Sequence, residues 1–334
     1  MNGPQIAWLA DGRRLYMNHG PIDLILEAFG EESERRAAYS QAADRFETML
    51  SELVEELPAL RAPAMAAPRA FTGPTAMRME RAVSPFATQF ITPMAAVAGA
   101  VADEVLAALT TGRELSRAYV NNGGDIALHL AAGHEMRLAI AGTGNGFADR
   151  IVVSGKSAVR GVATSGWRGR SHSLGIADAV TVLARTGAAA DAAATMIANA
   201  VDLPGHAAVR REPACTLSPD SDLGERLVTV GVGALAPKEV AEALDRGFAA
   251  ADEYRQRGLI DAAALFLGGE SRVAGTMTKI PPLRLASLGT SPPQAGERKT
   301  PIVDAAVPRP HSLWGRGAER SEAEWGIEQR DRHV

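Results

Sequence analysis

The chain has 334 residues, of which 46% are hydrophobic, with a net charge of −4 and a pI near 6.0. This length and hydrophobic share allow one large domain or two small ones around an ordinary buried core, and they exclude a chain that is disordered throughout. The acidic balance excludes a broad nucleic-acid-binding surface, because such surfaces need clustered Lys and Arg. Cys215 is the single cysteine, so neither an intrachain disulfide nor a thiolate metal cluster can form.

The most apolar parts of the chain do not resemble membrane or export segments. Residues 1–15 contain one short apolar run and lack the longer apolar core of a signal peptide. Residues 94–109 are interrupted by Asp103 and Glu104 and are too short to span a bilayer as a helix. Together with the lone cysteine, these patterns predict a soluble cytoplasmic protein that does not bind membranes.

Hydrophobic periodicity in the first third of the chain predicts strands followed by helices. Residues 6–9 and 22–25 alternate as short strands do, whereas residues 32–57 carry apolar side chains at three- and four-residue steps, as an amphipathic helix does. Residues 60–74, rich in Pro and Ala, are predicted to be a connecting loop. Thr92 then supplies an N-cap and Pro93 a first-turn proline for a helix.

That helix is predicted to run to about Leu109 and to have one face of small residues. Ala95, Gly99 and Asp103 share this face, which permits the close approach of another backbone. Strand-like segments follow and predict a mostly antiparallel sheet, at residues 117–120, 126–130, 135–141, 150–154, 161–164 and 179–184. Helices are predicted over 188–201 and 237–255, with a strand over 227–232 between them.

These elements predict an α/β fold of the α+β type, with packed helices on a mostly antiparallel sheet, in one domain over residues 1–286. Residues 287–334 mix Pro, Gly, Arg, Glu and Ser with little apolar material. They are therefore predicted to be a disordered or loosely attached tail.

Two glycines lie between strand-like runs in the segment Asn121, Asn122, Gly123, Gly124 and Asp125. Glycines there permit positive φ and let a ligand approach the backbone, while the asparagines and the aspartate add short polar groups. The alternative is a plain hairpin turn, because Asn-Gly is the strongest short hairpin signal. Local pattern alone favours the hairpin.

Asp191 and Thr195 lie one helical turn apart on the helix of small residues. Their carboxylate and hydroxyl project from the same face, where they could hold a hard cation such as Mg²⁺ through oxygen. The alternative is an aspartate favoured by the helix dipole and a threonine bonded back to the backbone. Because two oxygen ligands do not define a metal site, this pair taken alone favours the structural alternative.

A glycine-rich loop joins the strand ending near Thr164 to the strand beginning at Ala179. It contains Ser165, Gly166, Arg168, Arg170 and His172. Guanidinium groups, hydroxyls and an imidazole are suited to binding phosphate or carboxylate and to transferring protons. A solvated loop is an equally good interpretation.

Taken in order, these motifs resemble the ApbE-like superfamily over roughly residues 15–267. The resemblance rests on residues 92–103, on Val120 to Ile126, and on residues 179–182 followed by Asp191 and Thr195. Residues 19–23 and 171–175 are similar to the branch catalogued as uncharacterised protein family 0280.

The resemblance implies the fold of the FAD:protein FMN transferases, which bind FAD, hold Mg²⁺ near its pyrophosphate and transfer FMN to a Thr or Ser of a target protein. Carried over by position, Asp191 and Thr195 match the metal-binding pair, and the Ala95 carbonyl matches a backbone metal ligand. Residues 121–125 match a Gly-Gly-Asp element that contacts the cofactor. The implied cofactors are Mg²⁺ and FAD or FMN.

Two departures argue against flavin transfer itself. The transferases carry a lysine where this chain has Ala98, and the compact loop over residues 167–178 replaces their Asp-Pro-x-Thr-Gly turn. The sequence therefore predicts an enzyme of unknown reaction that acts on or binds a flavin or another small anionic ligand, with Arg168, Arg170 and His172 as its contacts. One alternative is a non-catalytic accessory protein that supports a redox or sulfur-assimilation enzyme, and another is a structural dimer module with a vestigial pocket. The protein partner is left open between a second copy of the chain and a redox protein.

Overall fold

The computed structural model describes residues 3–139, 150–169, 171–277 and 279–280. Within these ranges the strands are β1 (Gln5–Trp8), β2 (Leu15–His19), β3 (Ile22–Gly30), β4 (Leu115–Asn122), β5 (Asp125–Leu130), β6 (Glu135–Ala139), β7 (Arg150–Ser154), β8 (Gly161–Ser165), β9 (Ala179–Ala184), β10 (Val209–Pro213), β11 (Leu227–Val232), β12 (Ala262–Leu267), β13 (Glu270–Ala274) and β14 (Lys279–Ile280). The helices are α1 (Glu32–Glu55), α2 (Leu57–Leu60), α3 (Pro74–Val83), α4 (Val97–Thr110), α5 (Gly187–Ala200), α6 (Ala214–Leu217) and α7 (Pro237–Gln256). Arg170 and the tail over 287–334 lie outside the described residues.

The main sheet has nine strands in the order β1-β2-β3-β4-β5-β8-β9-β12-β13. Every described strand pair is antiparallel, so the prediction of a mostly antiparallel sheet with packed helices is confirmed. Two smaller sheets accompany it, one of order β14-β7-β6 and one formed by β10 and β11.

Both faces of the central strands are covered, because side chains alternate between two cores. On β4, Ala118 and Val120 belong to the large core shared with the helices, whereas Tyr119 belongs to a second core. That second core also contains Met136 and Ile151 of the small β14-β7-β6 sheet. The main sheet is thus held between a helical layer and a small sheet.

The helix after Pro93 is an internal element of this helical layer. The segment Pro93–Thr110 is apolar enough and long enough to cross a membrane, with a mean hydropathy of 1.4. In the structure α4 contacts α1, α3, α5, β4 and β5, and its Val101, Val105 and Leu109 are buried in the main core. Its apolar character is therefore accounted for by packing inside the fold.

The start of this helix differs from the prediction. Pro93–Ala96 forms a short 3-10 turn before α4, and the Thr92 side chain does not cap it. The Thr92 hydroxyl instead donates to the Asp222 carboxylate, because the loop that carries Asp222, 130 residues further along the chain, packs against it. The N-cap prediction at Thr92 was wrong in its side-chain role.

The predicted connection over 60–74 is confirmed as a loop over 61–73, between the end of α2 at Leu60 and the start of α3 at Pro74. This loop is held against α3 by an ion pair, in which the Arg69 guanidinium lies 2.7 Å from the carboxylate of Glu80, a residue that is 1% exposed. Beyond Gly268, where periodicity fades, β13 still pairs with β12.

Candidate functional site

The Asn121 to Asp125 segment is a two-residue hairpin between β4 and β5. Gly123 and Gly124 have φ of 65° and 118°, a conformation that glycine adopts without a steric penalty. The Gly124 N–H donates to Asn121 Oδ1 at 2.8 Å and closes the turn. The hairpin interpretation is confirmed, and its geometry determines where the flanking polar residues point.

Asn122 and Asp125 face each other across the hairpin and point to the helical side of the sheet. They form a pair in the β4–β5 register, and each lies two residues from a helix-facing alanine or valine. Asn122 Nδ2 donates to the Ala98 carbonyl at 3.2 Å. This bond ties the hairpin to the first turn of α4.

Asp191 of α5 reaches the same turn of α4. Its Oδ2 accepts the Gly99 N–H at 3.0 Å, and the Ala98 N–H also donates to this carboxylate. Asp191 therefore satisfies N–H groups that a helix start leaves without intrahelical partners. Residues 95–99, the hairpin and the Asp191 to Thr195 turn, which lie far apart in sequence, meet at one place.

A reciprocal interaction fixes this arrangement. Asp103 of α4 accepts the Gly187 and Ala188 N–H groups at the start of α5, each at 2.8 Å. The helices are so close at this point that a Cβ on Gly99 would lie 2.2 Å from the Gly187 carbonyl oxygen. The expectation that another backbone approaches this face of small residues is confirmed. Each helix thus supplies an aspartate to the start of the other.

Negative charge accumulates where these elements meet. Burial raises the pKa of Asp191 well above its ordinary value, and the nearby Asp125 carboxylate raises it further, against the lowering effect of the two N–H donors. Asp125, Asp191 and Thr195 nevertheless keep partial access to solvent. Asp125 is itself held by the Thr164 N–H, which donates to Oδ1 at 3.2 Å.

The donor set around Asp191 consists of hard oxygen atoms. The Asp191 and Asp125 carboxylates belong to elements that meet here, and carboxylate oxygens are ligands that suit Mg²⁺ rather than a softer metal. Among the residues that the structure describes, no group of three His, Cys, Asp or Glu side chains is placed to hold a metal. A cation here would depend on hydroxyl, backbone and ligand oxygens to complete its shell.

The Arg168 side chain is oriented by its own loop. Its Nε donates to Asp178 Oδ1 at 2.8 Å, and its guanidinium lies 4.7 Å from the centre of the Trp167 ring. Asp178 in turn accepts the Gly268 N–H at 2.8 Å. The arginine is thus anchored beside the ends of β9 and β12, with 65% of its side chain exposed.

Ser165 and Gly166 lead into this loop at the end of β8. Gly166 lies against the chain that leads into β9, where a Cβ would come within 2.6 Å of the Asp178 carbonyl oxygen. This close contact explains the glycine and shows that it packs against protein backbone. Ser165 pairs with Val180 in the sheet and is partly exposed.

His172 lies on the other arm of the loop, near the residues that precede α4. Burial lowers the pKa of His172, and the Asp222 carboxylate opposes that shift. Asp222 also accepts the Thr92 hydroxyl, so it links the loop to the start of the 3-10 turn. The loop is fixed by Asn199 Oδ1, which accepts the Leu174 N–H at 2.9 Å.

Sequence reasoning missed three aspartates that organise this region: Asp103, Asp178 and Asp222. Asp103 had a usable signal, since it shares the face of small residues with Gly99 at a four-residue spacing. Asp178 and Asp222 had none. Their roles depend on which loops the fold brings together, and no local pattern encodes that.

The site thus lies on a mostly antiparallel α/β fold, where a hairpin with two glycines faces two helices that exchange aspartates. The model of the family described as "AbpE bacteria" matches residues 6–273, and the chain belongs to that family. The chain is 38% identical over 127 residues to a UPF0280 protein of Methanopyrus kandleri, which covers 36% of this chain and 46% of the relative. It is 33% identical over 159 residues to a UPF0280 protein of Methanoregula boonei, which covers 46% of this chain and 65% of that relative. The matches thus span about half to two thirds of the length of these relatives.

Solved structures with a similar arrangement include a mutant of the flavin transferase ApbE from Vibrio cholerae, at a TM-score of 0.45 and 11% identity. That match covers 78% of this chain and 96% of the other. The flavinyl transferase ApbE of Pseudomonas stutzeri, in its apo form, matches at a TM-score of 0.38 and 12% identity, covering 82% of this chain and 93% of that one.

Proposed function

We propose that this protein binds a phosphorylated ligand, a flavin nucleotide or a close chemical relative, together with Mg²⁺ at the meeting point of α4, α5 and the β4–β5 hairpin. The observation that carries the proposal is the meeting of Asp191 and the hairpin at the first turn of α4, where Asp191 Oδ2 accepts the Gly99 N–H at 3.0 Å and Asn122, the register partner of Asp125, donates to the Ala98 carbonyl at 3.2 Å. A divalent cation would offset the repulsion between the two carboxylates.

In this proposal Asp191, Thr195 and the Ala95 carbonyl hold the cation, and Asp125 adds its charge. Mg²⁺ keeps several of its positions for water or for phosphate oxygens, so a small number of protein ligands is sufficient. The cation would neutralise ligand phosphate and orient it against the hairpin. The exposed backbone at Gly123 and Gly124 permits close approach of the ligand there.

The remaining predicted ligand contacts lie on the loop that follows β8. Arg168, with its exposed guanidinium, and His172, through its neighbour Asp222, belong to a loop that leaves the end of β8 next to Asp125. We assign to them the outer, anionic or polar part of the ligand. Arg170 is a further candidate by sequence alone.

Binding without flavin transfer is favoured by the first turn of α4. Ala98, which stands where the transferases carry a lysine, has its carbonyl engaged by Asn122 Nδ2 at 3.2 Å. An alanine side chain supplies neither a charge nor a proton at that point. A delivery or accessory role for a redox partner is therefore the second candidate, and a cytoplasmic location stays a prediction.

Titration calorimetry tests the binding proposal with FAD as the probe. FAD should bind in the presence of Mg²⁺, weaken by about tenfold or more with chelator, and weaken similarly in Asp191→Asn with Mg²⁺. Asp252→Asn is the control and should leave FAD affinity unchanged, because Asp252 is also a helical aspartate but its carboxylate accepts from Arg255 and Gln256 of α7. Equal FAD affinity under all four conditions would contradict the proposal.

A second measurement separates catalysis from binding. Incubation of the full chain with FAD and Mg²⁺, followed by chromatography of the small molecules, detects AMP released by cleavage of the dinucleotide. Intact FAD at the end of the incubation supports a binding or delivery role. Release of AMP that depends on Asp191 would instead establish an enzyme.

A further inference from the structure

A cavity lies at the β1 edge of the sheet, between the β1–β2 hairpin and the first turns of α1. It has a volume of about 410 Å³, within the range of small-molecule pockets. We call it the arginine pocket, and its walls include Trp8, Arg13, Glu32, Arg35, Arg36 and Tyr39. Four strand spacings separate β1 from β5, about 19 Å at 4.7–4.9 Å per strand, so the pocket is distinct from the Asp191 region.

Positive charge dominates the arginine pocket, with three guanidinium groups against one lining carboxylate. That carboxylate, on Glu32, is already paired with Arg36. Arg13 forms a long ion pair of 3.8 Å with Glu27, and 66% of its side chain stays exposed. The lining therefore retains capacity to bind an anion.

Arg35 gives the most specific indication of a ligand. Its Nε is buried and has no hydrogen-bond partner among the described residues. A buried donor without an acceptor costs free energy, whereas a guanidinium that receives phosphate or carboxylate oxygens satisfies its donors in pairs. An anion in the pocket would supply the missing acceptor.

The aromatic side of the pocket is rigid and partly exposed. Trp8 is 53% exposed, and its ring meets Tyr39 edge to face with centroids 4.8 Å apart. The Tyr39 hydroxyl donates to the Arg13 carbonyl at 2.6 Å and accepts the Ala28 N–H at 3.0 Å. An exposed indole on a fixed support can stack against a planar ring.

Nearby carboxylates outside the lining are engaged elsewhere. Asp11 accepts the Arg13 and Arg14 N–H groups at 2.9 and 3.0 Å. Glu34 accepts the Glu114 N–H at 2.9 Å on the other side of the helix start. The carboxylates of Asp11 and Glu34 thus accept backbone donors, and of the three lining arginines Arg13 and Arg36 have carboxylate partners, in Glu27 and Glu32, whereas no ion pair with a described residue is seen for Arg35.

We propose that the arginine pocket binds a phosphate monoester carried on a planar aromatic group, the chemistry of a nucleoside monophosphate. The three guanidinium groups take the phosphate, and the exposed Trp8 ring takes the planar group. Both halves are needed, because an exposed arginine cluster alone binds anions weakly in salt.

Calorimetry on the full chain tests this with AMP, adenosine and inorganic phosphate as separate probes. AMP should bind at least about tenfold more tightly than either fragment, since it engages both halves of the pocket. Binding of AMP should persist with chelator and in Asp191→Asn, which distinguishes this pocket from the Mg²⁺ centre. Equal affinities for AMP and for one of its fragments would overturn the two-part ligand.

Two variants and one control complete the test. Arg35→Met and Trp8→Ala should each weaken AMP by about tenfold, and Trp8 is exposed on an edge strand, so its replacement leaves the core intact. Arg246→Met is the control, because Arg246 is also a helical arginine but lies on α7, outside the arginine pocket. AMP affinity that is unchanged in Trp8→Ala and in folded Arg35→Met would overturn the proposal.

Discussion

Gly99→Ala is expected to destabilise the protein strongly although it adds one methyl group. A Cβ at this position would lie 2.2 Å from the Gly187 carbonyl oxygen and 2.7 Å from the Ala188 nitrogen. Carbon atoms in good contact sit about 3.5–4.0 Å apart, so α4 and α5 must separate by about 1 Å. Both atoms belong to backbone, so no side-chain rotation relieves the overlap.

The magnitude follows from three contributions. Overpacking of a rigid contact costs about 1–3 kcal/mol. Separation of the helices also weakens the bond from the Gly99 N–H to Asp191, and a hydrogen bond to a charged group contributes about 1.5–3 kcal/mol. Alanine returns about 1 kcal/mol through its better helix propensity. A net loss of roughly 2–5 kcal/mol is expected, a fall in Tm of about 4 °C or more.

Urea and thermal denaturation measure this loss, and Gly233→Ala provides the matched control. A Cβ on Gly233 would meet its nearest atom, the Ala208 carbonyl oxygen, at 3.4 Å, which is ordinary contact. That variant should stay within about 0.5 kcal/mol of the unmodified protein. A Gly99→Ala protein as stable as Gly233→Ala would refute the close helix contact and, with it, the placement of Asp191.

Three further predictions follow from buried and paired groups. Burial raises the pKa of Asp103 from 3.8 to about 6, so the folded protein holds this proton more tightly than the unfolded chain. The free energy of unfolding should therefore fall as the pH rises from about 4 to about 6. Asp103→Asn should remove that fall, which is at most about 3 kcal/mol, and a pH series of urea midpoints tests it. Glu80→Ala leaves the Arg69 guanidinium without its carboxylate partner and should lower the free energy of unfolding by about 3–5 kcal/mol. A loss below about 1 kcal/mol in urea unfolding would contradict a buried ion pair. In an NMR titration the pKa of His172 should lie below 6.5, because burial lowers it, and it should fall further in Asp222→Asn, because the Asp222 carboxylate opposes that effect. An unchanged His172 pKa in this variant would show that the two side chains do not interact.

Much of the local structure was predictable because its signals are local. The hairpin at Gly123 and Gly124 follows from residues that tolerate positive φ between two alternating runs. The helices after Pro93 and Pro237 follow from apolar periodicity and a first-turn proline. The small-residue face at Gly99 predicted close backbone approach, since a missing Cβ leaves room that only another main chain fills.

The partners of these elements were not predictable from local pattern. The sequence by itself determined that Asp191 and Thr195 share a helix face and that Asp125 ends a glycine turn, because both facts depend on fixed backbone periods. Only the tertiary structure decided that Asp191 serves the start of α4, that Asp103 serves the start of α5, and that Asp125 raises the pKa of Asp191. These contacts join residues more than 60 positions apart, and their energies depend on distance and burial, which packing sets and residue order does not.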